Sequence, residues 1–346
     1  MSKFKTKYDC FDQKGETNLP DNQFIESLIK NDIEPIIYID SCVCLHIIKV
    51  IDHKHKAKQI NLERIISLKE YLTKHPNIQI NPTFALLELC YLKSGYDVKK
   101  LFELKLRIDF FIQIPLKSLK SYQYDFHRDI IIKKDLSKEK INSLEAVDQI
   151  IKNTYCTLLK IRSIALKNLT KQKAENNINE LSDWMINELN IFRGAEYKLA
   201  LNIFGGNTNY RKMIGLDSRD SKDIKKKILG SSWDMYHSKL CANNFRISQI
   251  LQKNIHPFFL TSDANLFKLF HNVSIEVIKD GGDESISSYI MMSDFTYPHF
   301  EESFIEKNNQ NLLNLWLQRS NYDYSYNDDM VNKLILNLEI DNGIIL

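Results

Sequence analysis

Two apolar runs in the chain each end in an aspartate. Pro35-Ile-Ile-Tyr-Ile-Asp40 and Pro257-Phe-Phe-Leu-Thr-Ser-Asp263 have the β-branched and aromatic make-up of strands buried on both faces. Glu88 interrupts the apolar stretch Leu86-Leu87-Glu88-Leu89-Cys90, which reads as helix from Pro82 onward. A fourth acid, Asp234, follows Ser231-Ser232, a pair that reads as the cap of a helix running to Phe245. Singly, each has an ordinary role: a turn or cap for the aspartates, an exposed helix face for Glu88. Jointly they suggest a site, because ligands of open parallel α/β sheets gather at the carboxyl ends of the strands. Two unit charges about 4 Å apart repel by on the order of 4 kcal/mol at an effective dielectric near 20, so a cluster of carboxylates needs cations. Oxygen ligands suit Mg²⁺ or Mn²⁺, one or two ions, and a pair of such ions is the clamp used for in-line phosphodiester cleavage. Ser41 and Thr261 stand beside two of the acids as supporting hydroxyls, and His237 lies on the same helix face as Asp234.

The elements that must position these residues are legible as patterns. A helix is expected over 22–30, a strand over 35–40, helices over 41–49 and 61–74, a short strand at 78–80 and a helix over 82–92. From 97 to 216 long helical patterns dominate, one capped by Ser137 and running toward Lys173, another over 178–204 ending at Gly205-Gly206. Strands resume at 257–263 and 273–278, the latter closed by Asp280-Gly-Gly, and helices are expected over 301–319 and 330–338. Charge follows the same division. Residues 97–216 hold 21 Lys and Arg against 14 Asp and Glu, whereas 286–346 hold 3 against 9. The reading is an α/β protein in four parts: an N-terminal extension over 1–32, a discontinuous α/β domain carrying the four acids over 33–96 and 217–285, a basic helical insertion over 97–216 and an acidic helical extension over 286–346.

Composition narrows the class. The chain has 346 residues, net charge +3, 10 Gly and 7 Pro, so it is neither a polycation nor a low-complexity or collagen-like chain. No apolar run reaches the roughly 18 residues of a membrane span, and no membrane partner is expected. The first residues lack the apolar stretch of a secretory signal. Six cysteines without a C-x-x-C pair argue for a reduced, cytoplasmic setting, with Cys42 and Cys44 as buried small residues. P-loop, dinucleotide-binding, nucleophile-elbow and H-E-x-x-H patterns are all missing.

The four acidic contexts, in this order, resemble the PIN-domain nucleases. Ile36-Ile-Tyr-Ile-Asp40-Ser41-Cys-Val-Cys-Leu is similar to the first family signature, Phe84-Ala-Leu-Leu-Glu88-Leu to the second, Trp233-Asp234-Met-Tyr-His-Ser-Lys-Leu-Cys-Ala to the third and Phe259-Leu-Thr261-Ser-Asp263-Ala-Asn-Leu-Phe to the fourth. The resemblance covers roughly half the chain. It implies a PIN-like parallel sheet flanked by helices and a catalytic, metal-holding set of Asp40, Glu88, Asp234 and Asp263. The long interval between Glu88 and Asp234 is where the helical insertion falls. Many relatives carry a second acid soon after the last Asp, where this chain has Asn265.

The function the resemblance implies is a metal-dependent endoribonuclease acting on single-stranded or loop RNA; its setting is open between a toxin–antitoxin or phage-defence system, with an antitoxin or defence partner protein, and housekeeping RNA processing. Two alternatives stay open: a DNA or dual-specificity nuclease, and a non-catalytic RNA-binding or interaction scaffold. Tyr122, Tyr124 and Tyr210, in the basic segment, are candidate stacking platforms for unpaired bases. The basic segment and acidic tail are expected to attract each other, within one chain or across a homodimer.

Overall fold

The computed structural model of the chain describes residues 9–11, 19–52, 59–92, 95–126, 145–242, 253–263, 266, 273–279, 286–292, 297–319 and 327–345. It divides into two compact units, the first formed by 1–143 with 240–271 and the second by 144–239 with 272–346.

The first unit is α/β. In chain order it contains β1 (Asp9–Phe11), α1 (Asn22–Lys30), β2 (Glu34–Ile39), α2 (Ser41–Asp52), α3 (Gln59–Lys74), β3 (Gln79–Asn81), α4 (Thr83–Cys90), the short pair β4 (Tyr91–Leu92) and β5 (Gly95–Tyr96), α5 (Val98–Gln113) and α6 (Leu116–Ser121). After the second unit's first helices it closes with β6 (Ile255–Thr261). The sheet order is β1-β6-β2-β3. β2 is central and pairs in parallel with both β6 and β3, with Ile39 opposite Leu260 and Tyr38 opposite Asn81. β1 covers the far edge of β6, antiparallel. The sequence alone gives no sign of β1, three residues in a polar stretch.

The local reasons are ordinary. Asp21 caps α1 by accepting from Phe24 N–H at 2.8 Å, and Asp97 caps α5 by accepting from Lys100 N–H at 2.9 Å. Every residue of β6, and 36–39 of β2, is buried, as expected of strands covered on both faces. Ile37, Ile39, Val43, Ile47, Ile65, Leu68, Leu86, Ile108, Phe111, Phe258 and Leu260 form one core. Each such side chain contributes about 1.5–3 kcal/mol on removal from water.

The second unit contains α7 (Glu145–Lys167), α8 (Ala174–Asn187), α9 (Gly194–Phe204), α10 (Ser221–Ala242, its last three residues counted with the first unit), an antiparallel pair β7 (Val273–Lys279) and β8 (Ile286–Met292), α11 (Glu302–Arg319) and α12 (Asp328–Asp341). α9 is buried over 195–204. Ion pairs tie its acidic C-terminal helices to its lysines: Lys152 to Asp328, Lys171 to Glu301 and Lys225 to Glu339. Two of these, Lys152–Asp328 and Lys171–Glu301, join the segment read as basic to the segment read as acidic. Among the described residues no helix is long and apolar enough to cross a membrane.

Several expectations are corrected. The helix expected over 178–204 is two helices, α8 and α9. The break is at 188–193, where Asn190 takes φ 59°, a left-handed conformation that asparagine tolerates better than most residues. Ser231-Ser232 cap nothing. Ser232 Oγ donates to Ile228 O at 2.8 Å from inside α10, and the cap is Asp220, which accepts from Lys222 N–H at 2.8 Å. β8 is a strand at the start of the stretch read as helical. The three tyrosines are packed: Tyr210 is buried, Tyr124 OH donates to Val50 O at 2.8 Å, and Tyr122 is partly buried against the first unit's core. Ser137, Phe245, Asn265 and the 280–282 turn lie outside the described residues.

These cap assignments separate by mutation. Asp97→Ala should lower the free energy of unfolding by about 1 kcal/mol in urea titrations followed by far-UV circular dichroism. Ser232→Ala should stay within about 0.5 kcal/mol of wild type, because alanine is the better helix former and no cap is lost.

Candidate metal centre

Asp40 follows β2 directly and is buried. Its carbonyl accepts from Val43 and Cys44 N–H, both at 3.0 Å, and so opens α2. Its carboxylate is left for other partners. Oδ2 accepts from Thr261 Oγ1 at 2.6 Å and from Cys42 Sγ at 2.8 Å. Thr261 is the last residue of β6, so the neighbouring strand fixes the acid that ends β2. Thr261 Oγ1 accepts in turn from Asp263 N–H at 2.9 Å. Ser262 completes the seam, with Oγ and N–H donating to Cys42 Sγ at 3.0 and 3.4 Å.

Glu88 arrives from α4. Ser41 Oγ lies 3.1 Å from its Oε1 and 3.4 Å from Asp40 Oδ1, so one hydroxyl proton spans two acids. Carboxylate oxygens of Asp40 and Glu88 lie within 4.8 Å of each other. Glu88 is only partly buried as a residue, but its Oε2 is shielded from solvent. Burial first and the charge of Asp40 second push its carboxyl up to about 8, against the smaller opposing effect of the Ser41 bond. Burial and Asp40 likewise hold the Cys42 thiol well above its ordinary range, which keeps it a proton donor to Oδ2. His46, one turn further along α2, is pushed down to about 4, by burial first and then by the charges of Arg64 and Lys49, and is a neutral imidazole near pH 7.

Of the residues expected from sequence, the structure brings Asp40, Ser41, Glu88, Thr261 and Asp263 to one edge of the first unit's sheet. Asp263 is partly engaged already: its Oδ1 accepts from Leu266 N–H at 3.2 Å, the bond of a helix or turn cap. Asp234 and His237 lie on α10 in the second unit. Asp234 is well inside that helix, not at a helix start, and is partly exposed. His237 is buried, its ring 5.9 Å from Trp233 and 6.1 Å from Tyr236. Cys42 and Ser262 were not singled out as site residues by sequence reasoning. The available signal was their position: each lies within two residues of a strand-terminal aspartate.

Chemically, the edge offers close carboxylate oxygens flanked by hydroxyls, a donor set that fits a hard divalent cation such as Mg²⁺ or Mn²⁺. Without a cation, a proton on Glu88 relieves the repulsion between the acids. Comparison of the chain with protein-family models, with curated proteins and with solved structures gives no match.

Glu88 therefore links stability to pH. Its proton affinity is higher folded than unfolded, so its contribution is fully present below about pH 4.5 and is lost as pH rises toward about 8. In EDTA the wild type should lose stability across that window by at most about 1.4 kcal/mol per pH unit for one proton. Glu88→Gln should flatten that loss, as read by urea titrations at pH 5 and 8.5. Equal slopes for the two proteins would contradict the assignment.

Proposed function

We propose that the first unit is a PIN-like, metal-dependent endoribonuclease that hydrolyses phosphodiester bonds in single-stranded or loop RNA. The observation that carries this reading is the Asp40–Glu88 pair, held at the carboxyl end of parallel strands with a bridging serine. Close carboxylates in a shielded setting are unstable as two bare anions, and a divalent cation offsets their repulsion. Asp40 and Glu88 are the residues that would hold it. Once bound, such an ion supplies Lewis acidity at a phosphoryl oxygen and lowers the pKa of water, the chemistry that phosphodiester hydrolysis requires.

The chain's own groups prepare that state. Thr261 and Cys42 both donate to Oδ2 of Asp40, which fixes the carboxylate and leaves Oδ1 toward Ser41 and Glu88. Glu88 would have to give up its proton to hold a cation, so affinity for the ion should rise with pH over the range in which Glu88 titrates. Asp263 stands at the adjacent strand end as the third acid, steadied through its backbone by Thr261. Asp234, the fourth acid expected from the sequence, lies on α10 of the second unit, and the reading of the first unit does not depend on it. RNA is preferred over DNA on the resemblance alone. A second reading, a PIN-like RNA-binding scaffold without turnover, draws support from the bond that occupies Asp263 Oδ1.

The test is cleavage of end-labelled single-stranded RNA and DNA of one sequence, with Mg²⁺, Mn²⁺ or EDTA. Wild type should cut RNA only with metal. Even partners that merely orient a metal ligand are worth about 10–100-fold, so Asp40→Asn and Glu88→Gln should each lower the rate by at least roughly 100-fold. Asp234→Asn and Asp263→Asn report whether the remaining acids take part. RNA retention with no cleavage under any metal would favour the scaffold, and cleavage of both nucleic acids would favour the dual-specificity alternative.

A further inference from the structure

Exposed cations of the second unit that make no ion pair among the described residues include Lys173, Lys307 and Lys333, which are scattered, Lys227, and a further four that lie together with it in sequence, in contrast to the paired ones. Lys152, Lys160, Lys167, Lys171, Arg193 and Lys225 are all within 4 Å of a carboxylate. Lys212, Arg219, Lys222 and Lys226 are exposed, and none makes an ion pair among the described residues. These four fall within one short stretch, from the 3₁₀ turn Thr208–Ile214 into the first turns of α10. Arg219, Lys222 and Lys226 follow one another at intervals of three and four residues, so on α10 Lys222 and Lys226 share one face about 6 Å apart along the axis. Three aspartates share the stretch. Asp220 is engaged as the α10 cap, accepting from Lys222 and Asp223 N–H at 2.8 and 3.2 Å. Asp223 sits in the first turn, where the helix end favours negative charge. Asp217 is the remaining one.

We propose that this strip is a nucleic-acid surface of the second unit, binding the phosphate backbone of an RNA strand through Lys212, Arg219, Lys222 and Lys226. Unpaired, solvated cations are the groups that release counterions from a polyanion on contact, whereas cations already matched to carboxylates gain little. A membrane surface fits less well. An interfacial helix needs apolar side chains exposed beside its basic ones. Here the apolar residues between and just after the lysines, Ile224 and Ile228, are buried, and the exposed large hydrophobics, such as Leu166, Leu336 and Ile340, all lie outside 211–227. The choice of RNA rests on the nuclease reading of the first unit, while the strip itself rests only on charge and exposure.

The experiment uses the full chain and a fluorescein-labelled single-stranded RNA, read by anisotropy in EDTA so that binding is measured without turnover. The variant carries Lys212→Gln, Arg219→Gln, Lys222→Gln and Lys226→Gln together. A control carries Lys30→Gln, Lys74→Gln, Lys99→Gln and Lys117→Gln, an equal loss of charge on exposed residues of the first unit. With about 0.7 counterions released per phosphate contact on a single strand, the strip variant should flatten the slope of log K against log salt by about 3. Binding at 0.1 M salt should weaken by roughly 100-fold or more. The control should stay within about 3-fold of wild type, and both variants should match wild-type circular dichroism. A strip variant that binds like the control, or a wild type that binds anionic phosphatidylserine vesicles but not RNA, overturns the proposal. Strip-dependent binding without cleavage in Mg²⁺ or Mn²⁺ would sink the nuclease reading and leave the strip standing.

Discussion

The close approach of Asp40 and Glu88 is the constraint around which the first unit is arranged. Two carboxylates this near, with water largely excluded, are tolerable only if a proton or a cation sits with them. The surroundings supply hydroxyl and thiol donors from two elements: Ser41 and Cys42 from the start of α2, Thr261 from the end of β6. The parallel pairing of β2 with β6 brings those donors into range, because it ends both strands on the same side. Sheet register and site geometry are thus one problem. Slipping β6 by a single residue would turn Thr261 to the other face and withdraw the shortest bond that Asp40 receives.

The second unit solves a different problem with different means. It buries many charged and polar side chains, and it matches them in place. Glu196, fully buried, accepts from Arg193 and from Thr154 Oγ1 at 2.7 Å. Glu339, also buried, accepts from Tyr155 OH at 2.7 Å and pairs with Lys225, which fastens α12 to α7 and α10. Such pairs add little net stability over apolar packing, but breaking one leaves an uncompensated charge inside. They therefore specify which helix docks where. Part of the acidic excess of residues 286–346 has this structural explanation, and so does part of the basic excess before them.

Strand and helix positions around the site were legible because the relevant patterns are strong. Apolar runs stopping at Asp40 and Asp263 gave two of the three parallel strands, β2 and β6, and the apolar helix bearing Glu88 was readable to within a residue or two. What escaped was decided by contacts rather than by local pattern. β1 is three residues long and exists because β6 offers an edge. The apparent start of a helix at Ser231-Ser232 was deceptive, since a serine that bonds back to the carbonyl four residues earlier is compatible with an uninterrupted helix. The tyrosines of the basic segment looked available for stacking by residue type, yet packing claimed them. Cys42 was read as filler, and the structure makes it a donor to Asp40. What the structure shows of the fold is a small parallel sheet flanked by helices in an α/β unit; the likeness to PIN domains rests on the sequence motifs alone.

β1 has a bearing on solubility as well as on the sheet. An uncovered flank of β6 would expose unsatisfied backbone groups of a mostly apolar strand, a template for strand addition by another chain. Residues 9–11 pair with its last three residues, with Asp9 opposite Thr261 and Cys10 fully buried opposite Leu260. The same short segment thus shields a self-association surface and braces the threonine that holds Asp40. Loosening it should produce two symptoms together: a chain that clumps, and an acidic pair that no longer keeps its geometry.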